Sequence, residues 1–218
     1  MAGTAHDNPL AAVYHAKSPE EIARHYDRWA NSYEADMATV GYRHPAICLA
    51  LAARHLPRGA SPLLDAGAGT GLIGEWLRLI GYPVIEGLDI SDGMLAVAAT
   101  KGVYARLHKL ALGGPLPFAT GAFAGVVSVG VFTSGHVGAE GLDELIRICR
   151  PGGAIIMTVK TTLMQEGFEA RLGELETEGR ITRLETTVPY ISMPGETGTV
   201  PSCGLVLRVD RPDVTVRR

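Results

Sequence analysis

A chain of 218 residues, 46% of them hydrophobic, has enough apolar material for one large α/β core, and a single domain is the expectation. Twenty Lys and Arg stand against 23 Asp and Glu, a net charge of -3 with the cations scattered, so composition supplies no overall basic field of the kind that grips nucleic acid. The longest apolar stretch, Ala122 to Phe132, is broken by glycines and too short to span a bilayer, and MAGTAHDNPL has no signal-peptide core, so a soluble cytoplasmic protein is expected.

In chain order, a loose start gives way at Ser18-Pro19-Glu20-Glu21, where Ser18 reads as an N-cap, Pro19 sits in the first turn and Glu21 closes a capping box. One helix is expected from there to about Thr39, with Tyr26, Trp29 and Tyr33 at near-helical spacing. A second, from Pro45 to Leu56, is rich in Ala and Leu and stops before Pro57 and Gly59. Both are expected to cover the ligand end of a sheet. The segment 1–60 then forms a helical cap packed on a core of residues 61–218.

Short apolar runs thereafter alternate with helix-length segments, the pattern of parallel strands joined by crossover helices. Strands are expected near 62–66, 83–88, 103–107, 124–131 and 153–159, and helices near 71–80, 92–101, 138–149 and 165–178. Arg180 to Ile191 and Cys203 to Asp210 are β-rich and flank a Gly/Pro-rich connection, which predicts an antiparallel pair closing one edge. Cys48, Cys149 and Cys203 are odd in number and far apart, fitting neither a disulfide framework nor a zinc site, so they read as buried thiols and no metal is expected.

The most informative segment is LLDAGAGTG, Leu63 to Gly71, followed by VIEGLDIS, Val84 to Ser91. A strand ending in Asp65 leads into Gly67, Gly69 and Gly71, which let a ligand approach the main chain, and a helix then presents free N–H groups. Twenty residues past the turn, Asp89 ends the next strand, where a carboxylate can accept from two ribose hydroxyls. A nucleoside-containing ligand follows. Gly69-Thr70-Gly71-Leu72-Ile73-Gly74 also satisfies the dinucleotide pattern, which keeps a nicotinamide-dependent oxidoreductase in view. Asp65, however, would repel a pyrophosphate and suits a cationic ligand.

LLDAGAGTG, GLDISDGML and LIRICRPGGAIIMTV, in that order and spacing, resemble the glycine turn, second-strand acidic segment and fifth strand of the class I S-adenosylmethionine-dependent methyltransferases. More narrowly, HYDRWANSYEADMATVGYRHP and GVFTSGHVGAEGLDELIRICRPGG resemble the small methyltransferase-like proteins related to the one encoded in the Williams–Beuren syndrome region. The resemblance implies a Rossmann-like α/β fold, a mostly parallel seven-stranded sheet with helices on both faces, an antiparallel last strand and an N-terminal helical lid. It implies S-adenosyl-L-methionine as cofactor and methyl transfer as the activity. Carried over by residue, it sets Gly67, Ala68 and Gly69 beside the methionine part, with Asp65 near its amino group. Asp89 would hold the ribose, and Ile90 and Met94 would flank the adenine. Tyr33 would reach the carboxylate or cap the pocket, and Gly130 would end the fourth strand under the reactive methyl. Ala111 stands where the family often has an acidic residue facing the adenine amino group, and Ala124 where an aspartate is usual at the start of the fourth strand.

The chain has no large insertion for gripping a macromolecule, so a small-molecule acceptor, methylated on O, N or S by a monomer or homodimer, is expected. The alternatives are a non-methylating user of the same cofactor, such as a cyclase, and a non-catalytic nucleoside-binding protein. His136, just past the fourth strand, is the candidate base because imidazole titrates near neutrality, and Ser134 beside it could orient a substrate. Arg43, His44 and Tyr190 are further candidates for the acceptor side.

Overall fold

The computed structural model describes residues 9–16, 18–133 and 136–211. Among the described residues four helices precede the first strand: α1 (Pro9–Tyr14), α2 (Pro19–Trp29), α3 (Tyr33–Thr39) and α4 (His44–His55). The alternating portion runs β1 (Leu63–Ala66), α5 (Leu72–Leu79), β2 (Ile85–Asp89), α6 (Asp92–Thr100), β3 (Arg106–Lys109), β4 (Phe123–Phe132), α7 (Gly141–Ile148) and β5 (Cys149–Lys160). A short turn of helix, α8 (Thr161–Leu163), passes through a kink at Glu166 and Gly167 into α9 (Glu169–Thr177), and β6 (Ile181–Thr186) and β7 (Ser202–Val209) follow.

The seven strands form one sheet in the order β3-β2-β1-β4-β5-β7-β6. β7 is antiparallel to both β5 and β6, so it alone opposes the rest. The strand order reverses between the parallel neighbours β1 and β4, the place where open α/β sheets leave a crevice at their carboxyl ends. Alternate residues of the central strands feed two apolar layers. Ile155, Met157 and Val159 of β5 pack with α7 and α9 on one face, while Ala154 and Ile156 join Cys48, Leu51, Ile73 and Leu77 of α4 and α5 on the other. All three cysteines are buried thiols. Among the described residues no helix is long and apolar enough to cross a membrane.

Several expectations are corrected. The loose start is helical from Pro9, because Val13 buries against Ile22, Trp29, Met37 and Met193. The single helix expected from Pro19 to Thr39 is two, α2 and α3. The Trp29 indole and the Ser32 hydroxyl both donate to Asp36 Oδ2, at 2.6 and 3.0 Å, which ties the two helices across the break. Capping by Ser18 is as expected, its Oγ accepting from Glu21 N at 3.2 Å. The helix expected from Pro45 lies against the sheet face rather than over its end. β3 begins later than expected, at Arg106, because Tyr104 packs beneath the glycine turn instead of pairing in the sheet.

Candidate functional site

The turn after β1 is held by paired backbone bonds, Gly67 N and Ala68 N both donating to Leu88 O at 2.9 Å. Gly67 has φ of 86°, and a Cβ there would come within 2.2 Å of Val131 Cγ2, so conformation and space both demand glycine. Asp89 closes the other side: its Oδ2 accepts from Gly69 N at 2.8 Å and its Oδ1 from Ser91 N at 2.9 Å. Burial raises its pKa against these bonds.

Above this floor lies an open cleft lined on both sides by apolar side chains. Helix α2 forms its roof through Pro19, Ile22 and Tyr26. The roof is latched by Asp27, whose Oδ1 accepts from Ser91 Oγ at 2.6 Å and from Gly93 N at 2.8 Å, at the start of α6. A Cβ on Gly93 would lie 2.8 Å from Asp27 Cα, so α2 and α6 are in close contact. Tyr26 stacks on Trp29 with ring centres 6.2 Å apart, and Trp29 meets Tyr33 edge to face at 4.9 Å, a packed aromatic strip whose Tyr26 and Tyr33 also wall the cleft.

Of the residues singled out from the sequence, Tyr33, Gly67, Gly69, Asp89, Ile90, Met94, Ala111, Gly130 and His136 all line this cleft. Ala68 faces a smaller recess behind the turn. Gly130 lies inside β4, which continues to Phe132, rather than at the strand's end. His136 meets the Tyr14 ring edge-on at 5.8 Å. Ser134 lies outside the described residues. Ala124 is at the amino end of β4, about 20 Å along the strand from Gly130, and takes no part in the cleft.

Asp65 stands one layer back, fully buried, and its Oδ2 accepts from the Tyr104 hydroxyl at 2.6 Å. Burial pushes its carboxyl up to about 7, with the Tyr104 bond opposing and the nearby Asp89 charge reinforcing the rise. His44 is the first residue of α4 and is buried, with Nδ1 2.7 Å from the Tyr190 hydroxyl. Arg43 is exposed. Sequence reasoning did not find Tyr42, Leu110, Leu112, Tyr104 or the Asp27 latch. Tyr42 alone left a signal, as an aromatic next to the Gly41 turn; the others are recognisable only from tertiary contacts.

Residues 64–157 match the family model described as methyltransferase domain. Methyltransferase-like protein 27 of Homo sapiens is 39% identical over 162 residues, which are 71% of this chain and 65% of that protein. Demethylmenaquinone methyltransferase of Beutenbergia cavernae is 32% identical over 165 residues, covering 72% and 65%. The chain thus spans 65% of the length of these two relatives. Among solved structures, the Burkholderia thailandensis 1,6-didemethyltoxoflavin-N1-methyltransferase, in complex with that substrate and S-adenosylhomocysteine, superposes with a TM-score of 0.60. It is 17% identical, with 89% of this chain and 91% of the other covered, a likeness of fold alone. With its sheet order and these matches, the chain resembles the class I S-adenosylmethionine-dependent methyltransferases, the methyltransferase-domain match lying on residues 64–157.

Proposed function

We propose that the chain binds S-adenosylmethionine in the cleft and transfers its methyl group to an oxygen, nitrogen or sulfur of a small molecule. The observation that carries this reading is the convergence of the Gly67–Gly69 turn, Asp89 and the apolar slot of Ile90, Met94, Leu110 and Leu112 under the roof of α2. The residues fit the cofactor. Asp89 would take the ribose hydroxyls, and the slot would take the adenine with backbone groups near Ala111 in place of an acidic side chain. Asp65 Oδ1 is buried without a hydrogen bond, an acceptor behind the turn that a cationic amino group would satisfy.

When bound, the cofactor supplies an electrophilic methyl: the acceptor's lone pair forms the new bond while the methyl–sulfur bond breaks and sulfur keeps its electrons. The protein's part is alignment and exclusion of water, to which the latched roof is suited. His136, on the cleft wall, is the residue we assign to receive a proton where the acceptor carries one. The net charge of -3 and the roofed cleft favour a small molecule over nucleic acid, and one relative is itself named for a small-molecule acceptor.

Calorimetric titration with S-adenosylmethionine, S-adenosylhomocysteine and nicotinamide dinucleotides tests the cofactor. Binding of the dinucleotides alone would overturn the proposal. A metabolite screen with S-adenosylmethionine, read by mass, tests the transfer, and products formed without a gained methyl would move the chain to the cyclase-like alternative.

A further inference from the structure

Beyond Gly130 the cleft gives way to a second chamber, the two sharing Tyr26, Tyr33, Tyr42 and Gly130 as wall residues. On its far side Leu10, Tyr14, Thr133, Lys160 and Met193 are shared with an outer groove. The chamber therefore stands between the cleft and the outer groove, bordered by residues of each.

Lys160 ends β5 and Ser202 begins β7, directly opposite each other in the ladder, so their side chains leave the same face of the sheet. That is the face carrying α4, whose His44 also lines the chamber. Lys160 is 8% exposed, and its Nζ donates to Val200 O at 2.9 Å. Among the described residues no carboxylate offsets its charge, and burial lowers its pKa. Ser202 is fully buried, and its Oγ has no hydrogen-bond partner. His44 cannot compensate, since burial and the neighbouring Lys160 hold its pKa near 3 and leave it neutral. The remaining wall is largely aromatic, with Tyr14, Trp29, Tyr42 and Phe132. A buried ammonium without a counter-charge is costly, and an anion arriving in the chamber would relieve that cost.

Resting on the methyl-transfer reading above, we propose that this chamber selects a planar aromatic acceptor carrying one ionised oxygen, with Lys160 and Ser202 holding that oxygen. The flat group packs among the tyrosines, and its charge is read at the end of the sheet.

The test is a binding titration on protein saturated with S-adenosylhomocysteine, using matched probes. These are 1-naphthoate against 1-naphthamide for a carboxylate, and 4-nitrophenolate against 4-nitroanisole for a ring oxygen. In at least one pair the anion is expected to bind about tenfold tighter or better. Lys160→Met should erase that preference while S-adenosylhomocysteine affinity is kept, and Lys160→Arg should retain it. Retained cofactor affinity also shows that the Met variant is folded. Tight S-adenosylhomocysteine binding with no charge preference in either pair, or a preference that survives Lys160→Met, overturns this assignment alone. Absence of S-adenosylhomocysteine binding overturns the reading beneath it and the assignment together.

Discussion

Asp65 offers a measurement that does not depend on knowing any acceptor. Its folded carboxyl is pushed from 3.8 up to about 7, chiefly by complete burial. Between those two values the folded protein holds a proton that the unfolded chain has lost, so stability falls as pH rises through this window and levels off above it. Three units at 1.36 kcal/mol each make the span about 4 kcal/mol. Asp65→Asn removes the titration while keeping an acceptor for the Tyr104 hydroxyl. Urea unfolding of the cofactor-free protein from pH 5 to 8 should therefore show the wild type losing stability relative to the variant, steadily to about pH 7. Tyr104→Phe should carry the loss on to higher pH at the same slope, since it withdraws the hydroxyl that favours the charged form. Parallel wild-type and Asp65→Asn curves across the range would refute the reasoning.

The other predictions concern the turn, the roof and the base. Asp89→Ala should weaken S-adenosylhomocysteine binding by about 1–3 kcal/mol in calorimetry, because it removes a charged acceptor and frees the Gly69 and Ser91 amides; unchanged affinity in a folded variant removes Asp89 from the site. Gly67→Ala should cost more stability than Gly69→Ala: both strain the backbone by about 1–2 kcal/mol, but only at Gly67 does the added carbon strike Val131. Asp27→Ala should speed amide exchange in α2 and the release of S-adenosylhomocysteine, and identical rates would mean that the latch carries no load. His136→Ala should slow turnover on any acceptor found while sparing cofactor affinity; an undiminished rate would assign it to packing against Tyr14.

The sheet was legible because its signals are local. Each strand is a short apolar run bounded by turn residues, and the glycine turn and Asp89 mark their own strand ends. The boundaries that shifted are those where a side chain works across the fold. Tyr104 looks like strand material but packs under a turn more than thirty positions earlier, and Asp36 breaks the first long helix by binding Trp29 and Ser32. The acceptor side was least legible. His44, Gly130, Lys160, Tyr190 and Ser202 are scattered along the chain, and only the insertion of β7 beside β5, with α4 laid across that face, brings them together.

The match to a dinucleotide pattern at Gly69–Gly74 shows what spacing alone misjudges. Its third glycine faces protein: a Cβ on Gly74 would stand 2.1 Å from the Tyr104 hydroxyl, and one on Gly71 2.9 Å from the same ring. The two glycines make room for the phenol that donates to Asp65, so part of what reads as a phosphate-binding motif is the seat of a carboxylate's partner. A buried acidic group held behind the turn in this way is a poor neighbour for a pyrophosphate and a good one for a cation. If that is the purpose of the arrangement, binding of S-adenosylhomocysteine, whose amino group is cationic, should lower the Asp65 pKa and release protons near neutral pH. Calorimetry in two buffers of different ionisation enthalpy measures that release, and Asp65→Asn should abolish it. Proton release of equal size in the variant would show that the cation does not reach Asp65.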